Sequence, residues 1–542
     1  MRDVPWRTAV AIAGITGAVF SAALGADFVY DARLQILTDP FLHDPRNWFD
    51  VLTFRVLARD VLDFNRPVHL ASLMLDAAVW GRHPFGYHLT SVLLHAVNAV
   101  LLWLVIGALL RQRERTASAF SPPAHAGGVR GPSAAGIAAV EAALVFAVHP
   151  VVVEAVCEPT FREDILVATF TLAAILVAQG HAAATRGVDA IRAAACTAAC
   201  LLAIGSKETG IAAPALLAAW WWLFRRGEPG RFWATVVLSA TAVVLGFLAA
   251  RFLLEPAASA IFETKPQHPG GSLAAAMQIQ PRILALYVQL VALPCNLCAD
   301  YGGASIAHLP SWLSLAVLAG VALAGGLAIR HDRRMAFAAA TILLPLLPVC
   351  NVVPIYHAAA DRYLYLPMAG VGMAVACLLD APWWKPGSAT GRSGRDVAAV
   401  VGLVAIVALA AACVARQRVW CGAIALWRDT AEKNPASSLA AGGLADALLE
   451  AGRLTEAEAS IRRAIALSGE PQGDRLATLA LVLDRQGRPA EAAEALGRAI
   501  TADPRLADPA SRVAALAMER PVAEALDELL RRVRRPANGP PR

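Results

Sequence analysis

HPFGYHLTSVLLHAVNAVLLWLVIGALL fills positions 83 to 110 and contains no Asp, Glu, Lys or Arg. A helix needs about 17 to 25 mostly apolar residues to cross ~30 Å of hydrocarbon, so 86 to 110 reads as a membrane crossing. Stretches of the same kind lie at 8 to 26, 134 to 151, 163 to 182, 191 to 205, 209 to 225, 231 to 254, 309 to 329, 335 to 350, 362 to 380 and 396 to 415. Together they predict an all-α polytopic transmembrane bundle of roughly 11 spans. Composition agrees: 542 residues with 57% hydrophobic content, 17% charged residues and a mean hydropathy of +0.52 exclude a soluble globular protein.

The net charge of +6 and pI near 8.9 do not point to nucleic acid, because the arginines are spread over short loops and form no single stripe. They fall in alternate loops: Arg2 and Arg7, then Arg111, Arg113 and Arg115, Arg186 and Arg192, Arg225 and Arg226, Arg330, Arg333 and Arg334, and finally Lys385, Arg392 and Arg395. The positive-inside rule makes these loops cytoplasmic. The N-terminus is then inside an inner (plasma) membrane, and everything after about 415 lies on the periplasmic or extracytoplasmic side. PRILALYVQLVALP, 281 to 294, is apolar but would break this alternation as a crossing, so it reads as an interfacial or re-entrant helix. The first span has a rival reading as a secretory signal ending near Ala26, given its basic start and the small residues of SAALGA. Only a retained helix would hold Asp27 and Asp31 at a fixed depth.

Most cysteines lie in or beside the spans, where Cys acts as a small apolar residue. Cys295 and Cys298 form one CxxC, consistent with a disulfide or with packing. A zinc site there would need about four ligands and has no second pair.

After about 418 the character of the chain changes. GLADALLEAGRLTEAEASIRRA places small and apolar residues where two antiparallel helices interlock around Gly452, and TLALVLDRQGRPAEAAEALGRA repeats the pattern around Gly487. Ala445, Ala457 and Ala464 correspond to Ala480, Ala492 and Ala499. This looks like tetratricopeptide repeats, with a degenerate third pair from about Asp508 to Val533 as a cap. The expected organisation is a membrane domain over 1–418 with a long first external loop at 27–85, repeats over 419–535, and a disordered tail at 536–542. Such repeats bind protein partners in a groove, or act as a solvated appendage.

Five polar clusters fall at span mouths on the non-cytoplasmic side, where charges are costly unless they serve a site. The first is DFVYDARLQI, Asp27 to Ile36. Asp27 and Asp31, four apart, fit one helical face, and a carboxylate there suits a general base or a metal ligand; interfacial solvation accounts for either alone. FNRPVHLASLMLDAAVWG, 64 to 81, has the apolar spacing of a helix lying on the membrane surface. The second cluster, VHPVVVEAVCEPTFRED, brings His149, Glu154, Arg162 and Glu163, which could pair among themselves. The third, GSKETG, sets Lys207 and Glu208 in a short turn suited to a phosphate or an anionic head group. The fourth, NLCADYGG, contains Asp300. In the fifth, NVVPIYHAAADRYLYLP, Arg362 stands beside Asp361, Tyr363 and Tyr365; an aromatic belt accounts for the tyrosines, whereas Arg362 is suited to clamp a phosphate.

FVYD with Ile36, then NRP, HPFGYHLTSVLLHAVNAVLLW, FAVHPVVVEAV, SKETG and DRYLYLP, with tetratricopeptide repeats last, resembles the transmembrane and tetratricopeptide-repeat-containing O-mannosyltransferases. The order and spacing match over nearly the whole chain. The resemblance implies a GT-C-type glycosyltransferase that moves a sugar from a polyprenyl-phosphate donor to a hydroxyl acceptor on a protein or glycan. It implies Asp31 as the catalytic carboxylate, with Arg362 and Lys207 near the lipid phosphate. Asp27, His149, Glu154, Arg162, Glu163, Glu208, Asp300, Asp361 and Tyr363, read from the five polar clusters, are the expected supporting residues. The chain departs from the family at Ala32, where a second acidic residue is usual, and at Val151, Val152 and Val153, where polar residues are usual. A divalent metal is compatible with such a site without being required, and no cofactor is expected. A catalytically inactive scaffold and a lipid or solute transporter are the competing readings. Against the transporter, polar residues gather at one face and leave no through-path.

Overall fold

A computed structural model describes residues 6–118, 134–180, 186–227, 230–254, 267–302, 306, 310–381, 391–469, 472–508 and 520–534. All regular secondary structure among them is helical, with no strand. The tail expected at 536–542, the 509–519 stretch of the third helix pair, and the basic loop position Lys385 lie outside the described residues.

In chain order the longer helices are α1 (Trp6–Val19), α2 (Pro67–Trp80), α3 (Pro84–Ser118), α4 (Ala134–Val148), α5 (Arg162–Ala178), α6 (Arg186–Ser206), α7 (Ala212–Phe224), α8 (Gly230–Leu254), α9 (Leu273–Ala292), α10 (Ser311–His331), α11 (Arg333–Leu343), α12 (Tyr365–Leu379) and α13 (Gly391–Trp420). Every stretch read as a crossing overlaps one of them. Among the described residues six helices are individually long and apolar enough to span a membrane, and two bent pairs, each with a 47° break, raise this to as many as eight. The shorter α5, α7 and α11 sit inside the bundle. In α5 the reason is chemical: the helix begins Arg162-Glu163-Asp164, so its apolar run starts only at Ile165. The chain is a multi-pass membrane protein.

The core is organised around α3 and α12, whose residues are mostly buried, while α10 is almost entirely exposed and forms an outer wall. Glycine permits the tight centre. A Cβ at Gly370 of α12 would lie 2.7 Å from the Ala338 carbonyl oxygen of α11, so only glycine allows this approach. The segment read as a short interfacial helix is longer than the sequence suggested, starting at Leu273 as α9. Helix α2 turns polar His69 and Asp76 inward and leaves Leu75, Val79 and Trp80 exposed. An apolar outer face of this kind suits lipid contact.

After α13 come α14 (Ala423–Lys433), then two antiparallel hairpins, α15 (Ser438–Glu450) with α16 (Leu454–Leu467) and α17 (Gly473–Arg485) with α18 (Pro489–Ala502), and finally α19 (Arg520–Arg534). Gly452 and Gly487 make the two turns at φ +71° and +75°, a region in which residues with a Cβ are strained. Ala445, Ala457, Ala464, Ala480, Ala492 and Ala499 are all fully buried, which lets the helix backbones approach. Leu526, Leu529 and Leu530 of α19 close the end of this second core. All nine cysteines are free thiols, Cys295 and Cys298 included.

Candidate active site

The chain leaves α1 through a 3-10 turn at Ser21–Gly25, runs extended from Ala26 to Val29, and re-enters helix at Tyr30. Tyr30 itself has φ +49°. The expectation that Asp27 and Asp31 share a helical face therefore fails: the backbone between them is extended, and the left-handed Tyr30 redirects it. Asp27 is exposed, and its backbone N–H donates to the Cys421 carbonyl at 3.2 Å. Beyond Asp31 the turn continues with π-helical bonding over Arg33–Thr38, a form frequent at functional sites.

The Asp31 turn is held from three sides. Glu158 accepts the Ala32 backbone N–H at 2.9 Å and the Thr160 hydroxyl at 2.8 Å. Tyr30 stacks on Trp427 of α14 with ring centroids 5.1 Å apart, and its hydroxyl lies 3.3 Å from His357 Nε2. Arg33 pairs with Glu450 of α15 at 2.5 Å. Asp31 is exposed to solvent yet enclosed by surrounding protein, the combination expected of a side chain lining a concavity. It has no hydrogen bond or ion pair of its own among the described residues. The enclosure pushes its carboxyl up to about 6, with Arg362 pulling the other way and Asp63 and Glu163 adding to the rise. Burial pushes Glu158 well above its ordinary range, and the Asp31 charge adds to that. Burial also pushes His357 down to about 3, helped by Arg362 and Lys207.

Facing Asp31 is a charge cluster drawn from five segments. Arg362 forms an ion pair with Glu154 Oε1, and its backbone N–H donates to Glu154 Oε2 at 3.1 Å. The guanidinium lies 4.0 Å over the Phe161 ring and 5.3 Å over that of Tyr363. Lys207 is held by Glu163 at 2.9 Å and Asp164 at 2.6 Å, with its Nζ 5.3 Å from the Tyr363 centroid. Arg66 bridges Glu163 at 2.5 Å, Asp63 at 2.8 Å and Glu208 at 3.3 Å. Glu208 also accepts from Asn65 at 2.8 Å and pairs with Arg251 at 3.0 Å. Six carboxylates, Asp31, Asp63, Glu154, Glu163, Asp164 and Glu208, thus meet four cations, Arg66, Lys207, Arg251 and Arg362. With all of them ionised, acid is in excess.

The structure brings Asp31, Arg362, Lys207, Glu154, Glu163, Glu208 and Tyr363 into this cluster and assigns the other expected site residues elsewhere. The expectation that His149, Glu154, Arg162 and Glu163 pair among themselves does not hold. His149 Nε2 lies 3.1 Å from the Val291 carbonyl and ties α9 to the bundle. Arg162, fully buried, pairs with Asp76 at 2.6 Å and donates to Ser72, Ser91 and Tyr87, so it braces α2 and α3 against α5. Asp361 turns away from Arg362 to accept the Tyr301 hydroxyl at 2.5 Å, 3.9 Å from Arg416. Asp300 accepts the Ser437 hydroxyl at 2.5 Å and fixes the start of α15.

Asp63, Arg66, His69 and Glu158 are members that sequence reasoning did not single out. Two carried a signal. Arg66 lies in the NRP stretch, whose Asn65 and Arg66 both reach Glu208 of SKETG, and Glu158 stands two residues before Thr160, whose hydroxyl it accepts.

The chain is similar to Protein O-mannosyl-transferase F38B6.6 of Caenorhabditis elegans, 26% identical over 382 residues, covering 68% of this chain and 49% of that protein. It is similar to Protein O-mannosyl-transferase Tmtc1 of Drosophila melanogaster, 29% identical over 181 residues, 31% of this chain and 18% of that protein. Protein O-mannosyl-transferase Tmtc3 of the same organism is 35% identical over 152 residues, 27% of this chain and 16% of its own length. This chain spans about half or less of the length of these curated relatives. The similarity bears out the resemblance to the transmembrane and tetratricopeptide-repeat-containing O-mannosyltransferases. No family model matches the chain, and no solved structure matches it.

Proposed function

We propose that this chain is an integral-membrane glycosyltransferase of the GT-C type that moves a mannose-like sugar from a polyprenyl-phosphate donor to a Ser or Thr hydroxyl on the non-cytoplasmic face. The observation that carries the reading is Asp31: a carboxylate without a partner of its own, in an enclosure that raises its proton affinity, opposite the ion-paired Arg362 and Lys207. In the reaction the acceptor oxygen attacks the anomeric carbon, Asp31 takes the hydroxyl proton, and the bond to the lipid phosphate breaks with its electron pair leaving on the phosphate. Arg362 and Lys207 supply charge to that leaving group. One carboxylate suffices for a single inverting displacement, unlike hydrolytic sites with paired acids. Tyr30 and Arg33, either side of Asp31, contact Trp427 and Glu450 of the C-terminal helices, so an acceptor held by those helices would reach the base directly.

An inactive scaffold is favoured by one observation, that Lys207 and Arg362 are both already engaged by carboxylates. Transfer of labelled sugar from a polyprenyl-phosphate donor by purified protein in proteoliposomes separates the two. Wild type should transfer, and Asp31→Asn should lose about 10²-fold or more while eluting as a folded monodisperse protein. Equal turnover in both would reject Asp31 as the base, and no turnover with any donor would favour the scaffold.

A further inference from the structure

We infer that Asp63, His69 and Glu163 form a binding site for a divalent first-row transition-metal cation of the Mn2+ or Zn2+ class. One ligand atom from each lies within 4.8 Å of the other two. An ion with bonds of about 2.0 to 2.2 Å holds its ligand atoms roughly 3 to 4 Å apart, so small side-chain rotations close the set. The second observation is His69 itself. It is fully buried, and neither ring nitrogen has a hydrogen-bond partner, a costly state for an imidazole that faces carboxylates. Its Nε2 lies 3.9 Å from Asp63 Oδ2, too long for a hydrogen bond and suited to a shared ion. One imidazole nitrogen with two carboxylate oxygens matches borderline ions better than Mg2+ or Ca2+, which prefer oxygen alone.

Arg66 Nη1 occupies the space between Asp63 and Glu163, 2.8 and 2.5 Å away. An entering ion takes its place, and Arg66 keeps Glu208 through Nη2 at 3.3 Å. Lys207 keeps the other Glu163 oxygen at 2.9 Å. The ion offsets the acid excess of the cluster. Its use, which rests on the transferase reading, is to add to the positive charge that Lys207 and Arg362, each already paired with carboxylates, bring to the donor phosphate.

The test titrates the purified full chain in nanodiscs with MnCl2 and reads free Mn2+ by electron paramagnetic resonance. Wild type should take up Mn2+ saturably, about one ion per chain, with nitrogen modulation of the bound-ion echo. His69→Gln should abolish that modulation, and both it and Asp63→Asn, the less buried position, should weaken binding at least about 10-fold. No saturable uptake by wild type, or unchanged affinity in a folded Asp63→Asn protein together with retained nitrogen modulation in His69→Gln, overturns the site. The two readings fail separately. Mn2+ uptake without sugar transfer sinks the transferase and leaves the metal site, whereas transfer that survives chelation, without Mn2+ uptake, sinks the metal site alone.

Discussion

If Asp31 is the base, the acid limb of the pH–rate profile should carry its raised proton affinity. An unperturbed aspartate titrates near ~3.9 and would leave the rate flat from pH 5 to pH 8. Enclosure moves Asp31 to about 6, so roughly one molecule in ten carries the ionised base at pH 5 and nine in ten at pH 7. The second-order rate constant for acceptor, measured in proteoliposomes across this interval, should therefore rise about tenfold with unit slope at its acid end. The same shift has a stability consequence of defined sign. Because the folded value lies above the unfolded one, the stabilising contribution is full below the unfolded value near ~3.9 and is lost as pH rises through about 6. At pH 7 Asp31→Asn should thus be as stable as wild type or slightly more so, and that advantage should vanish near pH 4. A profile flat between pH 5 and pH 7, or an Asp31→Asn protein that loses its transition temperature along with its activity, would refute the reasoning.

Arg362→Ala should weaken a soluble short-chain donor analogue by ~1.5 to 3 kcal/mol in calorimetric titration, with only partial rescue by Arg362→Lys, which keeps the charge but not the two-pronged grip; an unchanged dissociation constant removes the phosphate role. Arg162→Ala should destabilise the fold by about 3 to 5 kcal/mol, since it leaves Asp76 buried without its cation. Thermal unfolding in detergent measures this, and a neutral result would mean that the strut does not brace α2. Reporter fusions after Ser438 and in the 116 to 130 stretch should report opposite sides of the membrane; agreement between them would place the C-terminal helices away from the Asp31 loop in the cell.

The sequence by itself determined the architecture that depends on local pattern. Each apolar run became a helix, because a backbone in an apolar medium must satisfy its own hydrogen bonds. The paired hairpins were equally legible, since Gly452 and Gly487 and the alternating alanines act within one or two turns. Asp31, Arg362 and Lys207 were visible as charges at span mouths. Their partners were not. Arg362 sits next to Asp361 in sequence, yet pairs with Glu154, 208 residues away, because the Arg-bearing turn approaches the Glu154 helix while Asp361 is claimed by Tyr301 and approached by Arg416. Likewise a spacing of four suggested a shared face for Asp27 and Asp31, and a single left-handed residue between them cancelled it. Burial decides such pairings: each charge in the cluster must find an opposite one within a few ångströms or bear its desolvation alone. Which opposite charge comes within reach is set by how α2, α5 and the 355–364 segment pack, and no local periodicity encodes that.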